Sequence, residues 1–314
     1  MKKIYLLISV ALLLLIIIFI PISTTENIYI KAPFLNVYRL LNEPANWEKW
    51  RPDLRRIAEQ DSAAIVVQKK PGYFVIKDKN AIIQVHNSAV IFSVNDYTDG
   101  NHVGYSYSVA PGKSTNETLV TVGKNIPLLK RIVGFINPLS FADTHIDQLK
   151  RFMEIDSLRY GCKIFKTKVP DANLLVIRKT VLRKDKFPEA AKMLSTIKEY
   201  IHRNNIKQMQ PLIAQFLPAG KDSSQVNVGL FIDREVKSQN EITFVRMPKG
   251  GPLYAARFHG LFSKRHLVYD GLHQYFTDHL YQSAILPFEM YLDDKLPASD
   301  QDVVNIQVNF TTYF

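Results

Sequence analysis

The feature that most constrains this chain is its start. Lys2 and Lys3 precede an apolar run from Ile4 to Ile22 that carries no charge, with Ser9 its notable polar side chain. At about 1.5 Å of rise per residue, roughly 20 apolar residues cross the hydrocarbon core of a bilayer. The run has no polar face, so it does not fit an amphipathic helix on a soluble core. A secretory signal begins the same way, but its apolar core is usually about 7–15 residues and ends on a small-x-small site. This run leaves through Phe19-Ile20-Pro21-Ile22-Ser23-Thr24-Thr25, with no A-x-A pattern. The expectation is an uncleaved transmembrane signal anchor over residues 1–24, with a cleaved signal as the alternative. The two lysines favour a cytoplasmic N-terminus, a membrane-anchored chain and an extracytoplasmic bulk.

The roughly 290 residues that follow are too many for one ordinary core, so two domains are expected. One cysteine, Cys162, excludes an internal disulfide and any all-cysteine metal site. It is expected to be a core residue. The formal charge is +11, but the basic residues are spread out with no run of five. An exported chain does not meet DNA, so nucleic acid is not an expected partner. An anionic membrane surface suits the charge better.

Residues 27–157 form one pattern. A short strand at Ile28-Tyr29-Ile30 precedes a helical face at Phe34, Val37, Tyr38 and Leu41. The segment Asn46-Trp47-Glu48-Lys49-Trp50-Arg51-Pro52 closes a second short helix. About six strand-like runs follow, divided by turn signals such as Pro71-Gly72 and Pro111-Gly112. A helix is then expected from Phe141 to Ile155, with Ile146, Leu149, Phe152 and Met153 on one side. This order, with the N-W-x-x-W-R-P element, resembles the START-like or polyketide-cyclase-like (SRPBCC) superfamily. The resemblance implies a helix-grip fold, a curved sheet around a C-terminal helix, and an apolar ligand pocket. Trp47 and Trp50 become candidate ligand contacts, although packing at the barrel mouth is their commoner role.

Residues 159–314 form the second pattern, in which strand-strand-helix-strand-strand occurs twice. The first helix is expected from Pro188 to Arg203 and the second from Ser263 to Leu280, after a turn at His259-Gly260. Such a repeat implies a duplication about a pseudo-two-fold axis with a central cleft. The second repeat carries Met247-Pro248-Lys249-Gly250-Gly251, then Ala255-Ala256-Arg257-Phe258-His259-Gly260, then Pro287-Phe288-Glu289-Met290-Tyr291. These elements in this order resemble the GyrI-like domain, also the effector-binding half of AraC-type and MerR-type regulators. The resemblance implies a cleft for aromatic, often cationic, small molecules, in which the family's cleft glutamate matches Glu289 and the neighbouring tyrosine matches Tyr291; Phe258 of the quoted motif is a further ligand-binding candidate. No helix-turn-helix signature precedes it. The whole is therefore expected to be α+β: a transmembrane helix, a helix-grip START-like domain and a duplicated ββαββ GyrI-like domain.

Spacing agrees with that site. Residues i and i+2 of a strand share a face, so Glu289 and Tyr291 point one way while Phe288 and Met290 point the other. A carboxylate beside apolar surface seeks a cation or a donor. An adjacent ring adds about 0.5–2 kcal/mol of cation–π attraction. The expected function is a membrane-anchored binder of hydrophobic or cationic small molecules. The alternative is a hydrolase with Glu289 as general base and Tyr291 as hydrogen-bond partner. No metal or other cofactor is expected. The eight histidines show no metal spacing: His266 and His273 lie two helical turns apart, and His259 stands alone. No G-x-S-x-G, H-E-x-x-H or P-loop motif is present.

Overall fold

The structure, a computed structural model, describes residues 21–61, 64–78, 81–98, 100–127, 141–169, 172–247 and 250–313. The chain divides into two compact units, Met1–Ile155 and Asp156–Phe314. Antiparallel sheet dominates both.

The first unit runs β1 (Pro21–Ile30), α1 (Phe34–Asn42), α2 (Trp47–Trp50) and α3 (Pro52–Gln60). Six strands follow: β2 (Val66–Lys70), β3 (Tyr73–Lys77), β4 (Ala81–Ser88), β5 (Ile91–Thr98), β6 (Asn101–Pro111) and β7 (Thr118–Pro127). Helix α4 (Ile146–Glu154) comes after them. Pro52 opens α3, where its missing N–H costs nothing. Burial alternates residue by residue along β4 and β5, so each strand turns one face to the core. The sheet order is β1-β7-β6-β5-β4-β3-β2. β7 through β2 are successive hairpins, and β1 pairs with β7 over its whole length. Ile146, Leu149, Phe152 and Met153 of α4 join one core with Ile83, Phe92 and Tyr107.

This unit corrects the expected transmembrane helix and the membrane-anchored, extracytoplasmic placement drawn from it. No helix among the described residues is long and apolar enough to cross a membrane. Pro21 to Thr24, the end of the expected span, is β-strand paired with Pro127 to Lys124. The β-branched Ile22, Thr24 and Thr25 suit that extended backbone. Residues 1–20 of the expected span lie outside the described residues. The expected helix over Phe141–Ile155 is also shorter. His145 adopts φ 58°, which no helix interior tolerates, and splits a 3-10 turn at Ala142–Thr144 from α4.

The second unit opens on a short helix α5 (Asp156–Arg159). It continues β8 (Ile164–Lys168), β9 (Asn173–Leu182), α6 (Lys186–Arg203), β10 (Gln208–Pro218) and β11 (Ser223–Ile232). The same order then recurs as β12 (Thr243–Arg246), β13 (Pro252–Leu261), α7 (His266–Asp278), β14 (Phe288–Tyr291) and β15 (Val303–Thr311). The sheet order is β12-β9-β11-β10-β14-β15-β13-β8. Exchanging each strand for its counterpart in the other repeat reverses this order onto itself, so a pseudo-two-fold axis passes between β10 and β14. The outermost strands are exchanged: β8 pairs with β13 of the second repeat, and β12 with β9 of the first. His259 and Gly260, expected as a turn, are strand residues paired with Asn305 and Val304. Pro248 and Lys249 lie outside the described residues.

Both long helices cover one face of this sheet. Ala190, Met193 and Ile197 of α6 and Val268, Leu272 and Phe276 of α7 share a core with Leu175, Ile177, Val228 and Ile306. The opposite face carries a smaller cluster that includes Leu174, Phe231, Leu253 and Phe288. Within α7, Gly271 is required. A Cβ there falls on the Tyr160 carbonyl oxygen and 3.0 Å from Cys162 Sγ. Gly271→Ala gains about 1 kcal/mol of helix propensity but forces backbone apart, at a cost of about 1–3 kcal/mol. Net destabilisation in a urea titration is the expected result, and a more stable variant would show that α7 can move away from Tyr160.

Candidate functional site

Strand alternation puts Glu289 and Tyr291 on the helix-covered face, with Phe288 and Met290 on the other. Glu289 is 1% exposed and sits on β14 beside the pseudo-two-fold axis. Its two oxygens hold three donors. Tyr291 Oη donates to Oε2 at 2.6 Å, and Oε1 accepts from Tyr269 Oη at 2.9 Å and Arg265 Nε at 2.8 Å. Burial raises the pKa of both phenols well above the ordinary value, and the Glu289 charge raises it further. Both tyrosines therefore stay protonated and act as donors.

The cation on Glu289 is part of an aromatic nest. The Arg265 guanidinium lies 3.7 Å from the centroid of Phe262. Phe262 meets Phe187 at 5.3 Å and Phe216 at 5.4 Å, both edge-on. Lys186 Nζ lies 4.5 Å from the Phe187 centroid and pairs with Asp300 at 2.8 Å. Phe187 comes from α6, Phe216 from β10, and Phe262 from the turn before α7. The carboxylate thus lies where the two repeats meet, with a flat cation already stacked on a ring beside it.

Phe258 shares this face. Ile306 of β15 is paired with Tyr291 on one side and Phe258 on the other, so Phe258 sits two strands from Tyr291, roughly 10 Å away. Trp47 and Trp50 belong to the first unit. Trp47 is fully buried and donates through Nε1 to the Leu41 carbonyl at 2.9 Å. Its ring is 5.1 Å from Trp50 and 5.8 Å from Phe74. The structure brings Glu289 and Tyr291 into contact, sets Phe258 in the same core, and uses the tryptophans as packing in another.

Three comparisons bear on this chain. No family model and no curated protein matches it. Among solved structures, it is similar to the EcmrR C-terminal domain at 15% identity, covering 48% of this chain and 98% of that one, with a TM-score of 0.41. It is similar to EcmrR in a complex with DNA at 13% identity over 59% of this chain and 78% of that one, with a TM-score of 0.40. A hydrolase from Listeria innocua shares 14% identity over 48% of this chain and 92% of that one, with a TM-score of 0.38. Scores this low carry no weight for function.

Several charged residues escaped the sequence. Arg265 and Tyr269 are spaced i, i+4, which places them together at the start of α7, but nothing marked Glu289 as their target. In the first unit Arg51 is fully buried and forks onto Asp53, with Nε to Oδ1 at 3.1 Å and a terminal nitrogen to Oδ2 at 2.6 Å. Its other terminal nitrogen reaches Asp96 Oδ2 at 2.7 Å. Thr98 donates to the second Asp96 oxygen at 2.5 Å. Among the described residues no group of three or more His, Cys, Asp or Glu could hold a metal ion. Cys162 is buried, and burial followed by the Asp156 charge pushes its thiol up to about 11, so it is not a poised thiolate.

Proposed function

We propose that the Asp156–Phe314 unit is a GyrI-like ligand-binding domain spanning residues 159–314. It takes flat hydrophobic or cationic small molecules in the cleft between α6 and α7, with Glu289 and Tyr291 at its base and Phe258 behind them. The observation that carries this is the Arg265 guanidinium, paired with Glu289 and stacked on Phe262. The chain's own planar cation occupies the place that an external one would take. Residues 27–157 are proposed as a START-like domain, on the strength of β1 closing on β7 and α4 packing against the sheet.

The test is a fluorescence titration of the full chain with an acridinium-type dye. Binding is expected, and Glu289→Gln should weaken it about tenfold through loss of one charge-assisted contact. Equal affinity in the two proteins, with both folded, would remove Glu289 from the site.

A further inference from the structure

The sheet of the second unit has another face, and that face holds a cavity of about 320 Å³. It is built by register. β9, β11 and β10 place Val176, Gly229 and Ile213 in one cross-strand row. The next row along, two residues on, is Arg178, Asn227 and Gln215. Leu174 and Val245 extend the apolar side. Gly229 puts no side chain into the floor, and a Cβ there would crowd Val176 Cγ2 at 3.2 Å and the Leu175 carbonyl oxygen at 3.3 Å. The strap Ile285-Leu286 forms part of its wall. It is tied down by an amide relay, in which Asn227 donates to Gln215 at 2.6 Å and Gln215 donates to the Pro287 carbonyl at 2.7 Å.

The charges lining this cavity have one sign. Arg178 and Arg246 line it, and no carboxylate does among the described residues. Arg246 is paired with Glu235 at 2.9 Å. Arg178 is exposed at the polar edge and forms no ion pair with a described residue. A guanidinium offers only donors, in a fork that matches a carboxylate.

We propose that this cavity is a second binding site, on the sheet face opposite Glu289, for a small amphiphilic carboxylate. The apolar body lies over Gly229 against the strap, and the carboxylate meets Arg178. At roughly 30 Å³ per water-sized group the space takes about ten non-hydrogen atoms, which octanoate supplies. The site does not depend on the Glu289 cleft.

Isothermal titration of the full chain with octanoate, octan-1-ol and octylammonium tests this. Octanoate is expected to bind most tightly. Arg178→Met should weaken octanoate about tenfold and leave octan-1-ol unchanged. Val176→Phe, which fills the cavity without touching backbone, should weaken both, and Glu289→Gln neither. Absence of octanoate binding, equal affinity for octylammonium, or octanoate affinity that survives Arg178→Met would each overturn the proposal. Loss of octanoate on Glu289→Gln would move it to the other face and overturn it as well.

Discussion

Arg51→Met is expected to destabilise the Met1–Ile155 unit by about 3–5 kcal/mol, because it strands a buried carboxylate. Asp96 is 5% exposed and meets Arg51 at 2.7 Å. Without the guanidinium, Asp96 keeps Thr98 as a neutral donor. Lysine is a partial substitute, since it cannot fork onto Asp53 while reaching Asp96. Both tryptophans of the chain, Trp47 and Trp50, lie in this unit, so their fluorescence in a urea titration reports on it. The pH dependence has a fixed sign. Burial raises the Asp53 carboxyl, and the Arg51 hydrogen bond and charge outweigh that and hold it below its ordinary value. A group lowered in the folded state gives stability above its unfolded pKa and loses it as pH falls through the folded one. The gap between wild type and Arg51→Met should therefore be full at neutral pH and shrink below about pH 4. A gap that does not narrow in acid would mean that packing, not charge, is what Arg51 supplies.

Arg265→Met should raise the affinity for a planar cation about a hundredfold. Removing the internal cation frees a stacking surface and a charge-assisted acceptor, together worth about 2–3 kcal/mol. Methionine removes the charge and the donors and leaves a flexible apolar chain that can move aside. The variant also holds an unpaired Glu289 at 1% exposure, so it should melt earlier and recover most of that loss as dye is added. Arg265→Met with Glu289→Gln should lose the gain. If Arg265→Met instead binds dye no better than the wild type, the guanidinium is a structural clamp and not a stand-in for a ligand.

Much of the secondary structure was legible because it is written locally. Two-residue alternation marks β4 and β5, and Pro52 marks the start of α3. Glu289 and Tyr291 could be paired from spacing alone. Arg265 is 24 residues from Glu289, and Arg51 is 45 from Asp96. No periodicity connects such partners, and only the folded register brings them together. The left-handed His145 carries no side-chain signature comparable to glycine, so the expected helix over Phe141–Ile155 came out too long. Hydrophobicity also misled at the N-terminal side. An apolar run is scored by composition, yet Pro21 to Thr24 finds its backbone partners on β7. The cavity over Gly229 depends on which residues lie opposite one another on three strands, which no linear pattern states.

The exchange of outer strands has a consequence for how the second unit is made. Ile164 of β8 pairs with Ala256 of β13, about ninety residues later in the chain. A ribosome adding about 5–20 residues per second needs roughly 5–20 s to cover that distance. For that interval β8 has no partner, and β9 likewise lacks β12 until the first repeat has been left behind. β9, β11 and β10 can pair within the first repeat as it emerges, but its outer edges stay open. The nascent chain therefore carries β8 as an unpaired strand until β13 has been made.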